Sequence, residues 1–284
     1  CIAPEGLGLS HIVSYCIGPV QWNSTFTYTI NRNKIKKLLK PTTLSSGEVV
    51  KQDMMDLGGL EIVNSRLFEG GSIGDLYVTA LRTDSHGYID VDYVNNTVAI
   101  DNKAGERQDG WIYAGNSQAK YMMGWRNSFS WKGLTLSCLV NARIGGIVVS
   151  QTQAMMDAYG TSKASADARD NGGALVNGKY IPAQAYYTTV GGGANGGIGS
   201  MYVYSATNVR LSELTLGYDL PVKKWCSWLK GLNVSFVGKN LFFLYRKAPF
   251  DPELTASTGT YYQGIDYFMM PSLRNLGFSI KANF

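Results

Sequence analysis

The sequence predicts an all-β chain, an antiparallel transmembrane β-barrel with long extracellular loops. Three observations predict it. Apolar and polar residues alternate with a period of two along several segments, which is the signature of a strand with one greasy and one wet face. Short and long connections alternate between those segments, as in membrane barrels with tight turns on one side and long loops on the other. Charge is sparse: 17% of 284 residues are charged and 45% are hydrophobic, against roughly 25% charged in an average soluble domain.

Taken in order, Trp22, Ser24, Phe26, Tyr28 and Ile30 alternate with Asn23, Thr25, Thr27 and Thr29. Weaker strands are expected near residues 60–67 and 75–83. Met123, Trp125, Phe129 and Trp131 alternate with Gly124, Arg126, Ser128 and Ser130, and Asn127 breaks the apolar face once. Leu134, Leu136, Cys138, Val140, Ala142 and Ile144 form the next apolar set, with Cys138 among them as a small hydrophobe. Leu214, Leu216, Tyr218 and Leu220 follow, then Leu232, Val234 and Phe236. The chain closes on Leu276, Phe278, Ile280, Ala282 and Phe284, alternating with Asn275, Gly277, Ser279, Lys281 and Asn283. That is about eight strands, of the roughly 9–11 residues that cross an outer membrane at a tilt. Trp22, Trp131, Tyr218, Phe242, Phe243 and Phe284 cluster at strand ends, where interfacial girdles sit.

The connections support the same reading. Trp131-Lys132-Gly133 and Phe68-Glu69-Gly70-Gly71-Ser72 are tight turns, and residues 221–231 form a short link with room for one helical turn. Long links fall at about 36–59, 84–120, 147–208 and 245–272. With the C-terminus periplasmic, all four lie outside. Residues 148–159 could form a short helix within a loop, and the Gly-rich run 190–199 reads as flexible. A soluble β-sandwich also has alternating strands, but its apolar faces must meet each other and its loops are short at both ends.

Composition excludes several classes. Aromatics at 12% and a net charge of +5 do not fit a disordered chain. Apolar runs are too short for a spanning helix, which needs about 20 residues. Two distant histidines, His11 and His86, read as solvated loop residues and exclude a structural zinc cluster. The basic run Lys34, Lys36, Lys37 and Lys40 faces solvent or lipopolysaccharide phosphates, and no basic stripe points to nucleic acid. Gly191–Gly199 lacks a following Lys-Ser/Thr, so it is no phosphate loop. Asp90 with Asp92, and Asp167 with Asp170 and Asn171, could bind calcium, though solvated carboxylates are the commoner meaning. Cys1 and Cys16 could pair in an oxidising compartment; Cys226 lies too far from Cys138 for a bridge to be expected. No nucleophile–base–acid set is present, so the chain is read as a non-enzyme with no catalytic residue, metal or cofactor.

Some segments go beyond pattern. Gly238-Lys239-Asn240-Leu241-Phe242-Phe243-Leu244-Tyr245-Arg246-Lys247-Ala248-Pro249-Phe250-Asp251-Pro252-Glu253 resembles the penultimate strand and following loop of the SusC/RagA family, the TonB-linked outer-membrane nutrient transporters of Bacteroidetes. Val209-Arg210-Leu211-Ser212-Glu213-Leu214-Thr215-Leu216-Gly217-Tyr218-Asp219-Leu220-Pro221 resembles the strand before it. Trp22 onward, with Asn31-Arg32-Asn33-Lys34-Ile35, resembles an earlier strand, and Glu69-Gly70-Gly71-Ser72-Ile73-Gly74-Asp75-Leu76-Tyr77 the Gly-rich re-entry after it. The terminal Phe284 also matches, whereas residues 1–17 match poorly.

The resemblance implies a 22-stranded barrel with a plugged lumen. This chain, residues 1–284, would be its C-terminal portion, with plug, TonB-binding segment and signal peptide lying outside it. It implies TonB-dependent uptake of an oligosaccharide or peptide across the cell outer membrane. The implied partners are a SusD-like surface lipoprotein, the TonB complex through the N-terminal region, and outer-membrane lipid. A small stand-alone barrel acting as an adhesin or passive pore is the first rival, and a secreted β-sandwich lectin the second. Recognition would fall to loop aromatics, whose rings stack on sugars or peptide side chains: Trp111, Tyr113, Tyr186, Tyr187, Tyr202, Tyr204, Tyr261 and Tyr262. Inward-facing Arg126, Asn141, Arg143 and Lys239 would meet the plug.

Overall fold

A computed structural model describes residues 2–39, 41–192, 196–222, 228–254, 259 and 262–284, with residues 2–4 as backbone only. Its main element is a seven-stranded antiparallel sheet. The strands are β1 (Ile2–Ile17), β2 (Val20–Ile35), β3 (Tyr121–Trp131), β4 (Leu134–Ile144), β5 (Asn208–Leu220), β6 (Gly231–Arg246) and β7 (Asn275–Asn283), paired in that order. Each long alternating segment of the sequence is one of these strands. β1 is an addition, because Ile2–Ile17 pairs with β2 along its full length. His11 therefore sits in a strand opposite Phe26, not in a loop.

Register carries the alternation across the sheet. Tyr15, Trp22, Phe129, Leu136, Leu216, Phe236 and Phe278 lie in one row, one residue from each strand. Cross-strand apolar pairs of this kind each contribute roughly 0.2–1 kcal/mol. Stacked rings reinforce the row, with Tyr15–Trp22 at 5.8 Å and Trp22–Phe129 at 5.9 Å. This face has no second layer over it: Phe129, Leu136 and Leu216 are exposed, and Phe278 is 80% exposed. A sandwich would have covered them. Asn127 interrupts the face, yet its Oδ1 accepts from Trp22 Nε1 at 3.2 Å, and Trp125 Nε1 donates to Ser24 Oγ at 3.0 Å. Each indole thus finds a partner on a face with little else polar. The opposite face is wet, with Arg126 Nη1 3.4 Å from Glu213 Oε1 and Asn141 donating to Ser212 at 2.9 Å.

At one end of the sheet two of the connections, residues 18–19 and 132–133, are only two residues long. β3 and β4 join through Lys132 (φ 46°) and Gly133 (φ 87°), with Trp131 opposite Leu134. Two positive φ values make this the primed turn that matches strand twist. A Cβ at Gly133 would lie 3.2 Å from the Asp219 carbonyl oxygen. Gly133→Val is expected to cost about 1–2 kcal/mol, the penalty of a left-handed residue. It should lower the temperature at which the folded protein loses its fast gel migration, and an unchanged temperature would refute the assignment of this turn.

The other end carries three long excursions, between β2 and β3, β4 and β5, and β6 and β7. The expected count was four links and about eight long strands. The weak strands at 60–67 and 75–83 leave the count and β1 joins it, which gives seven. They belong to a separate four-stranded sheet, made of Trp111–Asn116, Asp75–Thr79, Val63–Phe68 and Met54–Leu60 in that order. Both faces of its central strands are buried, and Val63, Leu76 and Val78 are nearly inaccessible. The two links around it are one excursion.

This small sheet packs with the second excursion, so the apolar core lies above the long sheet and not on it. The core holds Ile62, Val63, Leu76, Val78, Val149, Ile181, Val190, Ile198, Tyr202 and Ile265. Gly199 permits the closest approach, since a Cβ there would sit 2.0 Å from the Ile62 carbonyl oxygen. Three helices complete the packing: α1 (Gln151–Ala158), α2 (Lys163–Asp170) and α3 (Ala183–Gly191). Ser150 and Ser162 cap the first two, each accepting at 3.0 Å from the backbone three residues on. The helix expected within residues 148–159 is α1. The described part of the Gly-rich run is packed: Gly191 closes α3, and Gly197, Ile198 and Gly199 are buried. Among the described residues no helix is long and apolar enough to cross a membrane.

Candidate functional site

The excursion end holds an open cavity of large volume, built by the Gly-rich turn after the strand Val63–Phe68. Gly70 donates to the Ile35 carbonyl at 2.8 Å, and Ile35 donates back to Gly71 at 2.9 Å, which stitches the turn to the top of β2. Asn33 Oδ1 accepts from Ser72 Oγ at 2.8 Å and from the Ile73 backbone at 2.6 Å. Asp75, 5% exposed, accepts from the Ser72 backbone at 2.7 Å, Asn116 Nδ2 at 2.8 Å and the Tyr113 hydroxyl at 3.3 Å. The result is an open cavity of about 930 Å³ bounded by Asn31, Asn33, Ser72, Tyr113, Asn116 and Lys120, among others. Burial, and then the charge of Asp75, raises the pKa of Tyr113; the same two causes push Tyr77 up to about 12. Both hydroxyls therefore stay protonated, and that of Tyr113 donates to the carboxylate.

A second, smaller cavity of about 220 Å³ lies among the helices, lined by Asp157, Tyr159, Ser165, Arg169, Gln184 and Tyr187 with their neighbours. A third, of about 510 Å³, lies on the polar face of the sheet, where Thr27, Thr29, Met122, Asn141 and Arg143 face Glu253 of the third excursion.

Glu253 is brought there by a buried ion pair. Arg210 of β5, 8% exposed, donates to both oxygens of Asp251 at 2.8 and 2.7 Å. The Arg210 guanidinium also lies 4.3 Å above the Phe243 ring and 3.3 Å from Glu253. Ser272 Oγ donates to the same Asp251 carboxylate. Bulges in the β5–β6 pairing turn Phe243 to the Arg210 side, while Phe242 faces out. Phe243 is thus a platform for Arg210, not a girdle residue. Arg143 donates to the Ser117 carbonyl at 3.1 Å, and Lys239 lies opposite Glu213.

The eight loop aromatics do not converge on one site. Tyr113 lines the large cavity and is 57% exposed, and Tyr187 lines the small one. Trp111 has the Arg66 guanidinium over its ring at 5.2 Å, and Tyr204 meets Phe250 edge-on at 5.4 Å. Tyr262 packs partly buried on the loop core. Tyr186 and Tyr202 are core residues, 8% and 2% exposed, so packing has already taken the ring faces a ligand would need. Tyr202 donates to Asp157 Oδ2 at 2.9 Å. Tyr261 lies outside the described residues, as do Lys40, Cys1 and Cys226. Cys16 and Cys138 are free thiols.

The carboxylate pairs read as possible cation ligands serve local structure. Asp90 pairs with Arg82 at 2.6 Å, Asp167 with Lys163 at 2.6 Å, and Asp92 accepts from the Val94 and Asn95 backbone. Asp75, Asp157 and the Arg210–Asp251 pair were not singled out by sequence. Asp251 lies within the Gly238–Glu253 stretch that carries the family resemblance, and that stretch was the available signal.

No family model matches the chain. A curated relative, the TonB-dependent receptor P3 of Formosa agariphila, is 21% identical over 93% of this chain. Among solved structures, the RagAB peptide transporter matches 99% of the chain with a TM-score of 0.61 at 14% identity. The RagAB peptide importer in its open-open state matches 100% with a TM-score of 0.63 at 17% identity. The chain spans 27% of the curated relative and 28% of each of these two solved chains. The resemblance to TonB-linked transporters is thus found again in a relative named a TonB-dependent receptor and in a fold shared with RagAB.

Proposed function

We propose that this chain, similar to TonB-dependent receptors and folded like part of RagAB, is a segment of the wall and outer loops of an outer-membrane nutrient transporter. The observation that carries the reading is the seven-strand apolar row exposed on one face, with a polar face behind it. An uncovered apolar surface of that extent needs a non-aqueous neighbour, and lipid supplies it. The three excursions share one end, which would be the cell exterior. Bound nutrient would be an oligosaccharide or a peptide, recognised at that end and admitted through the lumen. A SusD-like lipoprotein would cap the excursions, and a plug and TonB-binding segment elsewhere in the protein would drive transport. Chemistry is recognition only.

The stand-alone barrel has less support. β1 and β7 are the two edges of the sheet and do not pair with each other among the described residues. Unpaired edges of that length are a liability that further strands relieve.

Fractionation of cells producing the full-length protein is expected to place it in the outer membrane. It should migrate faster on gels before boiling than after. External protease should cut within residues 36–120 or 145–207 and spare the Lys132-Gly133 turn. A full-length protein freely soluble in buffer would overturn the proposal.

A further inference from the structure

We infer that the small cavity among α1, α2 and α3 is a binding site for an organic ammonium group. Asp157 is the most buried charged residue lining it, at 6% exposure. Its carboxylate accepts from two neutral donors, the Tyr202 hydroxyl at 2.9 Å and Gln153 Nε2 at 3.4 Å. Among the described residues it forms no ion pair. A desolvated carboxylate without a cation is costly, and a cationic ligand relieves that cost. The charge is felt around it: Tyr187, Tyr202 and Tyr204 all have raised pKa values, through burial first and Asp157 second.

The walls suit the same ligand. Tyr187 and Tyr159 line the cavity, and a cation over a tyrosine face is attracted by the ring quadrupole. Tyr159 is 71% exposed, so the entrance is open. Arg169, the other charged residue lining the cavity, is exposed and tied to the Gly160 carbonyl at 3.3 Å. It repels a cation at the rim and does not neutralise Asp157. Size bounds the ligand: about 220 Å³ is below the roughly 300–1,000 Å³ of sites that enclose a whole drug-sized molecule. The cavity takes one headgroup with a short alkyl chain, not an oligosaccharide. The inference concerns binding and stands independently of transport.

Isothermal titration of the full-length protein in detergent tests it, with n-butylammonium chloride as the probe and 1-pentanol, uncharged and one carbon longer, as the neutral comparison. Saturable butylammonium binding is expected, with pentanol at least about tenfold weaker because it offers no charge to the carboxylate or rings. Asp157→Asn keeps an acceptor for Tyr202 and should lose at least about tenfold in affinity. Tyr187→Leu should also weaken binding. It carries the test, with the pentanol comparison, if Asp157→Asn loses its heat-modifiable fold. Competition by Nα-acetyl-lysinamide, glycinamide or choline then separates a lysine side chain, a peptide amino terminus and a quaternary headgroup as the source. Equal binding of pentanol, full affinity in folded Asp157→Asn, or an equal loss in Arg169→Ala would overturn the inference. Absence of uptake with butylammonium binding intact would count against the transport reading alone.

Discussion

Asp251→Ala is expected to release the third excursion from the sheet. The substitution removes the carboxylate that takes two hydrogen bonds from Arg210 and one from Ser272. Arg210 would stay buried, with Phe243 beneath it, a long 3.5 Å hydrogen bond to Asn240 Oδ1, and Glu253 at 3.3 Å as its remaining carboxylate. Breaking a buried ion pair by deleting one partner costs roughly 3–5 kcal/mol. Replacing both partners by apolar residues is far milder by the same argument, so Arg210→Met combined with Asp251→Leu should recover much of the loss. Limited proteolysis of the full-length protein within residues 247–274 reads the effect, and the wild type, Arg210→Met, Asp251→Leu and the double variant close a double-mutant cycle. If Asp251→Ala is cut no faster than the wild type, the pair does not hold the excursion.

Val140→Arg should be the most damaging single change on the sheet. Val140 lies mid-strand, between Trp125 and Leu211 in register, on the apolar side. An arginine facing lipid at the bilayer midplane costs about 2–4 kcal/mol. Three residues earlier, Ser137 faces the other way, beside Ser128 and Thr215. Ser137→Arg should change stability far less, because its guanidinium enters a polar space. Urea series on both proteins, read by heat-modifiable migration, compare them directly. Equal destabilisation would mean that the two faces do not differ in solvent, and the membrane assignment would fall.

The long sheet was legible because its signal is local. Phe129, Leu136 and Leu216 declare a face by parity alone, and register then aligns them. The Lys132-Gly133 turn was legible for the same reason. Parity could not say which sheet a strand joins. Val63 and Leu76 look like wall residues in sequence, and only the packing of α3 and residues 196–199 against them shows otherwise. The candidate site was less legible. Tyr186 and Tyr187 are adjacent and chemically identical, yet helical geometry turns one into the core and the other toward a cavity. Asp157 and Asp251 owe their roles to residues 45 and 41 positions away, Tyr202 and Arg210, a relation that no short motif carries.

The asymmetry between the two ends of the sheet sets where the chain tolerates insertion and deletion. Within a strand, one added residue reverses the facing of everything beyond it, so the wall admits almost no change in length. The two-residue turn at Lys132-Gly133 is equally rigid, because its left-handed pair fixes the register of β3 on β4. An excursion leaves and returns at strand ends already pinned by their neighbours, and residues added to it leave strand parity untouched. Related proteins could therefore keep one sheet and exchange what stands above it, so that a change of binding partner would be written in loop length before it is written in the sheet.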